Sequence, residues 1–320
     1  MTSVAQAQPN IALIKYWGKR DHVNNLPAVS SLSVTLESLW TRMSVEFRES
    51  GGPDTLQVNE ADAPAMLKRV SHCLDLVAGK QRPGADVISE SNFPIGAGLA
   101  SSASAFAALV VAAERELGGV RGPLDLARLA GGSSGSAARS LFGGIVELTA
   151  GDKEINVETV CECADWPLEV IVAITAKDPK PVSSGEAMVR GENTSPFYSS
   201  WLLKQDDDLR TARRGVVDRD FAKLAAVAEH NCLKMHSVMW TSKPPIVYWN
   251  SATLSCLETV RALQSDGLPV FFTMDAGPQV KAVCLPEAAA AVASALENTP
   301  GVMGTMQSSL GPGARPVETE

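Results

Sequence analysis

Positive charge is scarce in this 320-residue chain: 28 Lys and Arg stand against 36 Asp and Glu, a formal net charge of −8. That balance excludes a general nucleic-acid binder, whose phosphate contacts need clustered surplus cations. Aromatic residues make up only 5%, which excludes an extended base-stacking platform. Long apolar runs are also missing. The most apolar stretch, Leu99 to Ala113, is interrupted by Ser101, Ser102 and Ser104 and falls short of a bilayer span, so no membrane association is expected. The start, MTSVAQAQPN, has no basic segment followed by an apolar one, so no secretory signal is expected either. The six cysteines are scattered, and only Cys161 and Cys163 are close, at a spacing shorter than a C-x-x-C metal knuckle. Free thiols in a reducing cytoplasm are the expectation. His22, His72, His230 and His236 show no metal-ligand spacing such as H-E-x-x-H. No fixed-period repeat is present, which excludes solenoids and propellers. None of this excludes an anionic small molecule, because one local cluster of Lys and Arg can oppose the global sign.

Hydrophobic residues make up 45% and charged residues 20%, the balance of a globular protein with a sizeable core. The first ninety residues read mostly as strands: Asn10 to Tyr16, then the alternating segments Leu32 to Leu36 and Thr41 to Phe47. Ala63 to Leu76 has helical spacing. A Gly- and Ser-rich loop from Asn92 runs into an Ala-rich helix ending near Glu116, and a second cluster, Gly131 to Ser136, precedes another helical start. Glu169 to Thr175 reads as a buried strand. The charged, proline-bearing break Lys177 to Pro181 divides the chain into an N-terminal domain, 1–180, and a C-terminal domain, 181–320. The second is mostly helical, over Asp220 to Met239, Ser251 to Asp266 and Glu287 to Glu297, with a strand at Val270 to Met274. Ser308 to Glu320 should end in a mobile tail. Strands gathered with helices, without regular βαβ alternation, predict an α+β fold.

The segment Asn92-Phe93-Pro94-Ile95-Gly96-Ala97-Gly98-Leu99-Ala100-Ser101-Ser102-Ala103-Ser104 carries most chemical information. Gly96 and Gly98 let backbone N–H groups approach a ligand, and the helix that follows offers free donors and the positive end of its dipole. Hydroxyls of Ser101, Ser102 and Ser104 can reach phosphate oxygens or a magnesium ion. A lone loop of this kind is more often a tight turn into a closely packed helix. It is neither a Walker A loop nor G-x-G-x-x-G, and no G-x-S-x-G nucleophile elbow occurs in the chain.

The arrangement Pro94-x-x-x-Gly98-Leu99-Ala100-Ser101-Ser102 resembles the phosphate-binding motif of the GHMP kinase superfamily. Within that superfamily, Asn10-Ile11-Ala12-Leu13-Ile14-Lys15-Tyr16-Trp17-Gly18-Lys19-Arg20-Asp21 resembles the signature of the diphosphomevalonate decarboxylases, where galactokinase-like members carry a Gly-Glu-His element instead. The likeness continues at Gly132 to Arg139, Ser183-Ser184, Glu192 to Pro196, His230-Asn231, Met235-His236 and Phe272 to Pro278. These blocks span residues 10 to 278 in order.

The resemblance implies a two-domain GHMP-kinase-like α+β fold with the active site in the cleft between domains. It implies ATP and Mg²⁺, phosphorylation of the 3-hydroxyl of 5-diphosphomevalonate, and loss of that phosphate with CO₂ to give isopentenyl diphosphate in the mevalonate pathway. A cytoplasmic homodimer is the implied assembly. By the same resemblance Asp275 and Lys15 are the catalytic pair. Tyr16, Trp17, Gly18, Lys19, Arg69, Ser134, Gly135, Ser136, Ala137, Ala138, Arg139 and Thr194 form the substrate side, with Arg139 at the substrate carboxylate. Gly96, Gly98, Leu99, Ala100, Ser101, Ser102 and Ser104 form the nucleotide side. Read without it, Asp275 before Ala276-Gly277-Pro278 serves equally as a turn residue, Lys15 as a strand-end lysine reaching to water, and the Tyr16-Trp17 pair as packing. His230 and His236 are assigned structural roles. Two alternatives share the residues: a kinase that phosphorylates and stops or a decarboxylase of a monophosphate, and a non-catalytic sensor. Joint presence of Lys15, Asp275 and Thr194 favours decarboxylation, and the intact acid and base pair disfavours the sensor.

Overall fold

The alternating segments near the N-terminus enter two different sheets, and that division positions the site. The computed structural model describes residues 2–49, 51–94, 98–178 and 180–318. Its first half contains β1 (Ser3–Ala7), β2 (Asn10–Ile14), β3 (Lys19–Asp21), β4 (Leu26–Pro27), β5 (Ser31–Thr35), β6 (Thr41–Phe47), β7 (Thr55–Val58), β8 (Ala61–Asp62), α1 (Pro64–Ala78), β9 (Ala85–Ser91), α2 (Ser101–Glu116), α3 (Pro123–Ser133), β10 (Ile145–Ala150) and β11 (Ile155–Cys161). The second half adds β12 (Glu169–Ala173), α4 (Ser184–Thr194), α5 (Tyr198–Val217), α6 (Phe221–Trp240), α7 (Ser251–Ser265), β13 (Val270–Thr273), β14 (Val280–Cys284), α8 (Ala289–Glu297), β15 (Thr305–Ser309) and β16 (Arg315–Val317). The architecture is α+β.

One sheet has the order β16-β1-β6-β9-β7-β8, a second β11-β10-β5-β2, and a third β13-β14-β12-β15. Helices α1, α2 and α3 pack between the first two, around a core that includes Val45, Val87, Leu109, Val146 and Leu148. A second core, with Leu32, Val34, Phe271 and Val283, joins the second sheet to the third and to α5 and α6. The alternation in β6 separates core from solvent, as expected of a half-buried strand. In β5 every residue is buried. There Leu32 and Val34 enter the core while Ser31 and Ser33 face a buried arginine on the other side.

Three sequence expectations change. The helical start after the Gly131 to Ser136 cluster is a 3-10 helix, Ala137–Leu141, rather than an α-helix, and the first part of the cluster closes α3, which runs through Gly131 and Gly132 and stops at Ser133. The chain changes sheets before the Lys177 to Pro181 break, because β12 pairs with β14 and β15 of the third sheet, so the 1–180/181–320 division cuts that sheet. The C-terminal segment is not a free tail over its described length. Leu310 bridges to Leu36, Gly311 exchanges backbone hydrogen bonds with Thr35 and Gly144, and β16 pairs antiparallel with β1.

That return strand needs glycine for close approach. A Cβ at Gly311 would stand 2.5 Å from the Cα of Glu37 and 2.6 Å from the Leu36 carbonyl oxygen, both backbone atoms that cannot swing aside. Gly311→Ala should therefore destabilise the fold by about 1–3 kcal/mol, read as a lowered midpoint in urea unfolding; an unchanged midpoint would mean the return strand adds nothing to stability.

Candidate active site

Strand β2 ends at Ile14, and the chain there turns into the space between the second and third sheets. The next residue, Lys15, is buried at 1% exposure. Its backbone is fixed from behind: its N–H donates to Asn231 Oδ1 at 2.8 Å, its carbonyl accepts from Gln205 Nε2 at 2.7 Å, and Asn231 in turn donates to Gln205 Oε1. The Lys15 ammonium donates to the Ala12 carbonyl at 2.6 Å and to Asp275 Oδ1 at 2.9 Å. Asp275 follows β13, in the turn whose Gly277 N–H bonds back to its carbonyl.

A second ammonium approaches the same carboxylate. Lys281 of β14, wholly buried, stands 3.4 Å from Asp275 Oδ2, and among the described residues Oδ2 accepts no hydrogen bond. Burial alone pushes the Asp275 carboxyl up, but the Lys15 and Lys281 charges outweigh it and hold the group well below the usual carboxylate range. Burial lowers Lys281, against Asp275, which raises it.

These groups open into a cavity of about 760 Å³. Its charged lining consists of Lys15, Lys19, Arg69, Arg139, Lys180 and Asp275: five cations and one carboxylate. Arg139 is buried and, among the described residues, forms no salt bridge with a carboxylate. Its Nε donates to Asn10 Oδ1 and Ser33 Oγ and its Nη1 to Ser31 Oγ at 2.6 Å, all neutral acceptors. Burial brings it down to about 10, so it stays charged at neutral pH. Tyr16, beside it, is pushed up to about 12 by burial, and its hydroxyl has no partner among the described residues. That hydroxyl lies too close to where a Cβ on Gly135 would stand, so a side chain there would have to displace the Tyr16 ring.

The helix start predicted after the Gly-rich loop faces the same cavity. Ala100 caps α2 in the left-handed region at φ 54 with no side-chain cap, and Gly98, Ala100, Ser101 and Ser102 line the wall. First-turn N–H groups of a helix capped this way are donors for an anion.

The structure brings together Lys15, Asp275, Tyr16, Trp17, Lys19, Arg69, Ser134, Gly135, Ser136, Arg139, Gly98, Ala100, Ser101 and Ser102 around one cavity. Gly18 shapes the adjoining turn at φ +99, packed on Tyr198. Five residues are not brought there. Leu99, Ala137 and Ala138 are apolar core. Ser104 is buried against Thr41 and donates to the Ser101 carbonyl. Thr194 sits at the far end of α4, donating to the Arg190 carbonyl and accepting from the Lys243 N–H. Each was assigned through its motif neighbours, and a helix or turn faces only some of its residues toward a given wall. Gly96 lies outside the described residues. His236 is buried against Trp249 and Trp240, and burial lowers it to about 3, so the ring is neutral. His230 is exposed, and its neighbour Asn231 does the structural work.

Lys180 and Lys281 escaped the sequence reading. Lys180 sits in the break taken for a domain boundary, yet it donates to Ser184 Oγ at 2.6 Å and to the Ala276 carbonyl at 2.9 Å. Lys281 follows Asp275 by six residues inside an otherwise apolar strand, and a lysine in such a run was the available signal. Among the described residues no group of three or more His, Cys, Asp or Glu could hold a metal. The oxygen donors at the α2 start suit a divalent cation carried in by phosphates.

The comparisons with known proteins agree with one another. Residues 7–160 match the diphosphomevalonate decarboxylase-like N-terminal domain, and residues 170–310 match the mevalonate 5-diphosphate decarboxylase C-terminal domain. The chain is 32% identical to a diphosphomevalonate decarboxylase of Candida albicans, over 85% of this chain and 81% of that one. It superposes with a TM-score of 0.92 on MDDEF in complex with MVAPP, AMPPCP and magnesium, at 35% identity, covering 100% and 99% of the two chains. It superposes equally, at 0.92, on mevalonate diphosphate decarboxylase from Staphylococcus aureus, at 34% identity and 99% and 98% coverage.

Lys180 makes the cavity's charge depend on pH. Burial lowers its ammonium to about 8, against Asp275, which raises it, while Lys281 lowers it further. It is cationic below that pH and neutral above it. Tripolyphosphate binding, measured by calorimetry, should weaken about tenfold between pH 7 and 9, the size of one charged hydrogen bond, relative to Lys180→Arg measured alongside. Parallel pH curves for the two proteins would remove Lys180 from the anion site.

Proposed function

The chain belongs to the diphosphomevalonate decarboxylase family, and from that premise we propose how its own residues carry out the family's reaction, the ATP-dependent conversion of (R)-5-diphosphomevalonate to isopentenyl diphosphate with release of ADP, phosphate and CO₂. One observation carries the proposal: the Lys15–Asp275 ion pair and the uncapped start of α2 share a single cavity lined by five cations. A reaction between two polyphosphates needs this arrangement, because each repels the other unless the wall supplies opposing charge.

Asp275 accepts the hydrogen bond of the substrate's 3-hydroxyl through Oδ2, the oxygen that accepts no hydrogen bond among the described residues. A carboxylate held so far below its usual range is a weak bulk base. Phosphoryl transfer through a loose transition state asks little of it before the new P–O bond forms, so its task is to aim the hydroxyl and take the proton as that bond closes. Lys15 holds Oδ1, which leaves Oδ2 for the substrate, and its charge opposes that of the transferring phosphoryl group. Magnesium, when bound with the nucleotide, neutralises phosphate charge; the hydroxyls of Ser101 and Ser102 and the α2 N–H groups would hold that end. The apolar side chains of the lining, Met43, Leu56, Val58, Met66 and Phe106 among them, suit the adenosine.

Arg139 binds the substrate carboxylate, and Lys19 and Arg69 its diphosphate. After transfer the C–O bond to the phosphate breaks with its electron pair leaving on phosphate, and positive charge develops at carbon 3. The C–C pair of the departing carboxylate then forms the alkene as CO₂ leaves. The guanidinium plane, fixed by Asn10, Ser31 and Ser33, sets the carboxylate's orientation for that step. The six unpaired cysteines support a reducing, cytoplasmic setting, and the resemblance supports a homodimer; light scattering on the purified chain tests the latter.

The deciding assay supplies ATP and Mg²⁺ with mevalonate, its monophosphate or its diphosphate and measures isopentenyl diphosphate and CO₂. Only the diphosphate should yield both products; ADP without CO₂ would leave a kinase. Asp275→Ala should lower kcat by about 10²–10⁴-fold with nucleotide affinity unchanged or tighter, since a carboxylate is removed from a phosphate site. Full turnover in that variant would exclude the residue from the chemistry. Arg139→Lys should raise KM for the diphosphate about ten- to a hundredfold, the equivalent of one or two charge-assisted hydrogen bonds lost with the fork. A KM equal to the parent's would move the carboxylate site elsewhere.

A further inference from the structure

Lys281 belongs to β14, flanked by β13 and β12, with Thr273 and Val172 as its cross-strand partners. An ammonium inside a sheet is costly unless its donors are met. This one is wholly buried, and it meets two groups: it donates to the Gly98 carbonyl at 2.8 Å and stands 3.4 Å from Asp275 Oδ2. Gly98 belongs to the loop that opens α2, and Asp275 to the turn after β13. The two segments touch at this point, since a Cβ on Gly98 would lie 3.3 Å from the Cα of Gly277. One buried cation thus joins the wall that binds phosphate to the carboxylate that handles the hydroxyl.

We propose that Lys281 is a positioning residue that couples the phosphate loop to Asp275. With the Gly98 carbonyl seated on it, the ammonium is shared and held back from Oδ2, which stays open to the substrate hydroxyl. If the loop carbonyl withdraws, the same ammonium has only the carboxylate left to satisfy it and closes on Oδ2. Asp275 is then competent only while the loop is in its phosphate-binding position. This rests on the role given to Asp275 above.

Two variants separate the two contacts. Lys281→Met removes both: kcat should fall about tenfold or more through misplacement of Asp275, and KM for ATP should rise about two- to tenfold through loss of one hydrogen bond to the loop. KM for the diphosphate should not change, because Lys19, Arg69 and Arg139 are untouched. Lys281→Gln keeps a donor for the Gly98 carbonyl without the charge, and should recover KM for ATP but not kcat. In the Asp275→Asn background, Lys281→Met should cost no further rate in single-turnover measurements while still weakening nucleotide binding, the signature of two residues acting as a unit. Parent-like kcat and KM for ATP in Lys281→Met, or rate losses that multiply with Asp275→Asn, would overturn the coupling. So would joint loss of folding and of diphosphate binding in both variants, which would make Lys281 a structural residue. If the parent enzyme releases no CO₂, it is the reaction assignment that fails, and nucleotide affinity in the Lys281 variants still tests the link to the loop.

Discussion

The site is organised around a carboxylate caught between two buried ammonium groups. Lys15 and Lys281 approach opposite oxygens of Asp275, and with Arg139 and Lys180 nearby the positive charges outnumber the negative. A buried ion pair satisfies itself; this cluster does not, and the surplus is costly in the empty protein. Binding of a polyanion removes that cost. That surplus of cations is what suits the proposed phosphate site before any substrate-specific contact is considered, and Lys15 and Lys281 keep Asp275 ionised.

The fold tolerates such a cluster because the polar groups that support it come from the back faces of core elements. Strand β5 turns its leucine and valine toward the second core and its serines toward Arg139, so one pattern of alternation serves packing and site together. Asn231 and Gln205, on helices packed beneath β2, clamp the backbone of Lys15 on both sides. The return of the C-terminal strand to β1, through Gly311 pressed against residues 36–37, ties the third sheet to the first. Each support lies far in sequence from the residue it holds. A change there would reach the chemistry through geometry without touching the ligand.

The chain's net charge of −8 describes its surface and gives no account of its cleft. Acidic groups such as Glu90, Asp152, Glu154 and Asp207 are exposed on strands, loops and helices alike, where water screens them, and cations converge at the cavity, where a charge counts for more. Charge arithmetic on the whole chain speaks only to a broad cationic surface of the kind nucleic acid needs. The local distribution selects phosphates.

Much of this was legible in the amino-acid order. The spacing of apolar residues placed α1, α2, α6, α7 and α8 and the strands β2, β5, β6, β12 and β13, but gave no sign of α3, α4, α5 or the remaining strands. The Gly- and Ser-rich loop before an Ala-rich helix announced an anion site, and the Lys15 to Lys19 segment and Asp275 carried the family's marks. Those features are local: a helix start, a turn, a contiguous motif. What the order of residues could not convey was which side of each motif faces the cleft, and so Leu99, Ser104, Ala137, Ala138 and Thr194 looked like site residues while the structure turns them away from it. Nor could it show that Lys180, in an apparent linker, joins the cationic lining, or that Lys281, inside an apolar strand, comes within 3.4 Å of Asp275. The Lys180 bond to the Ala276 carbonyl and the Lys281 bond to the Gly98 carbonyl span 96 and 183 residues of chain, and only tertiary packing brings such groups to within a hydrogen bond of each other.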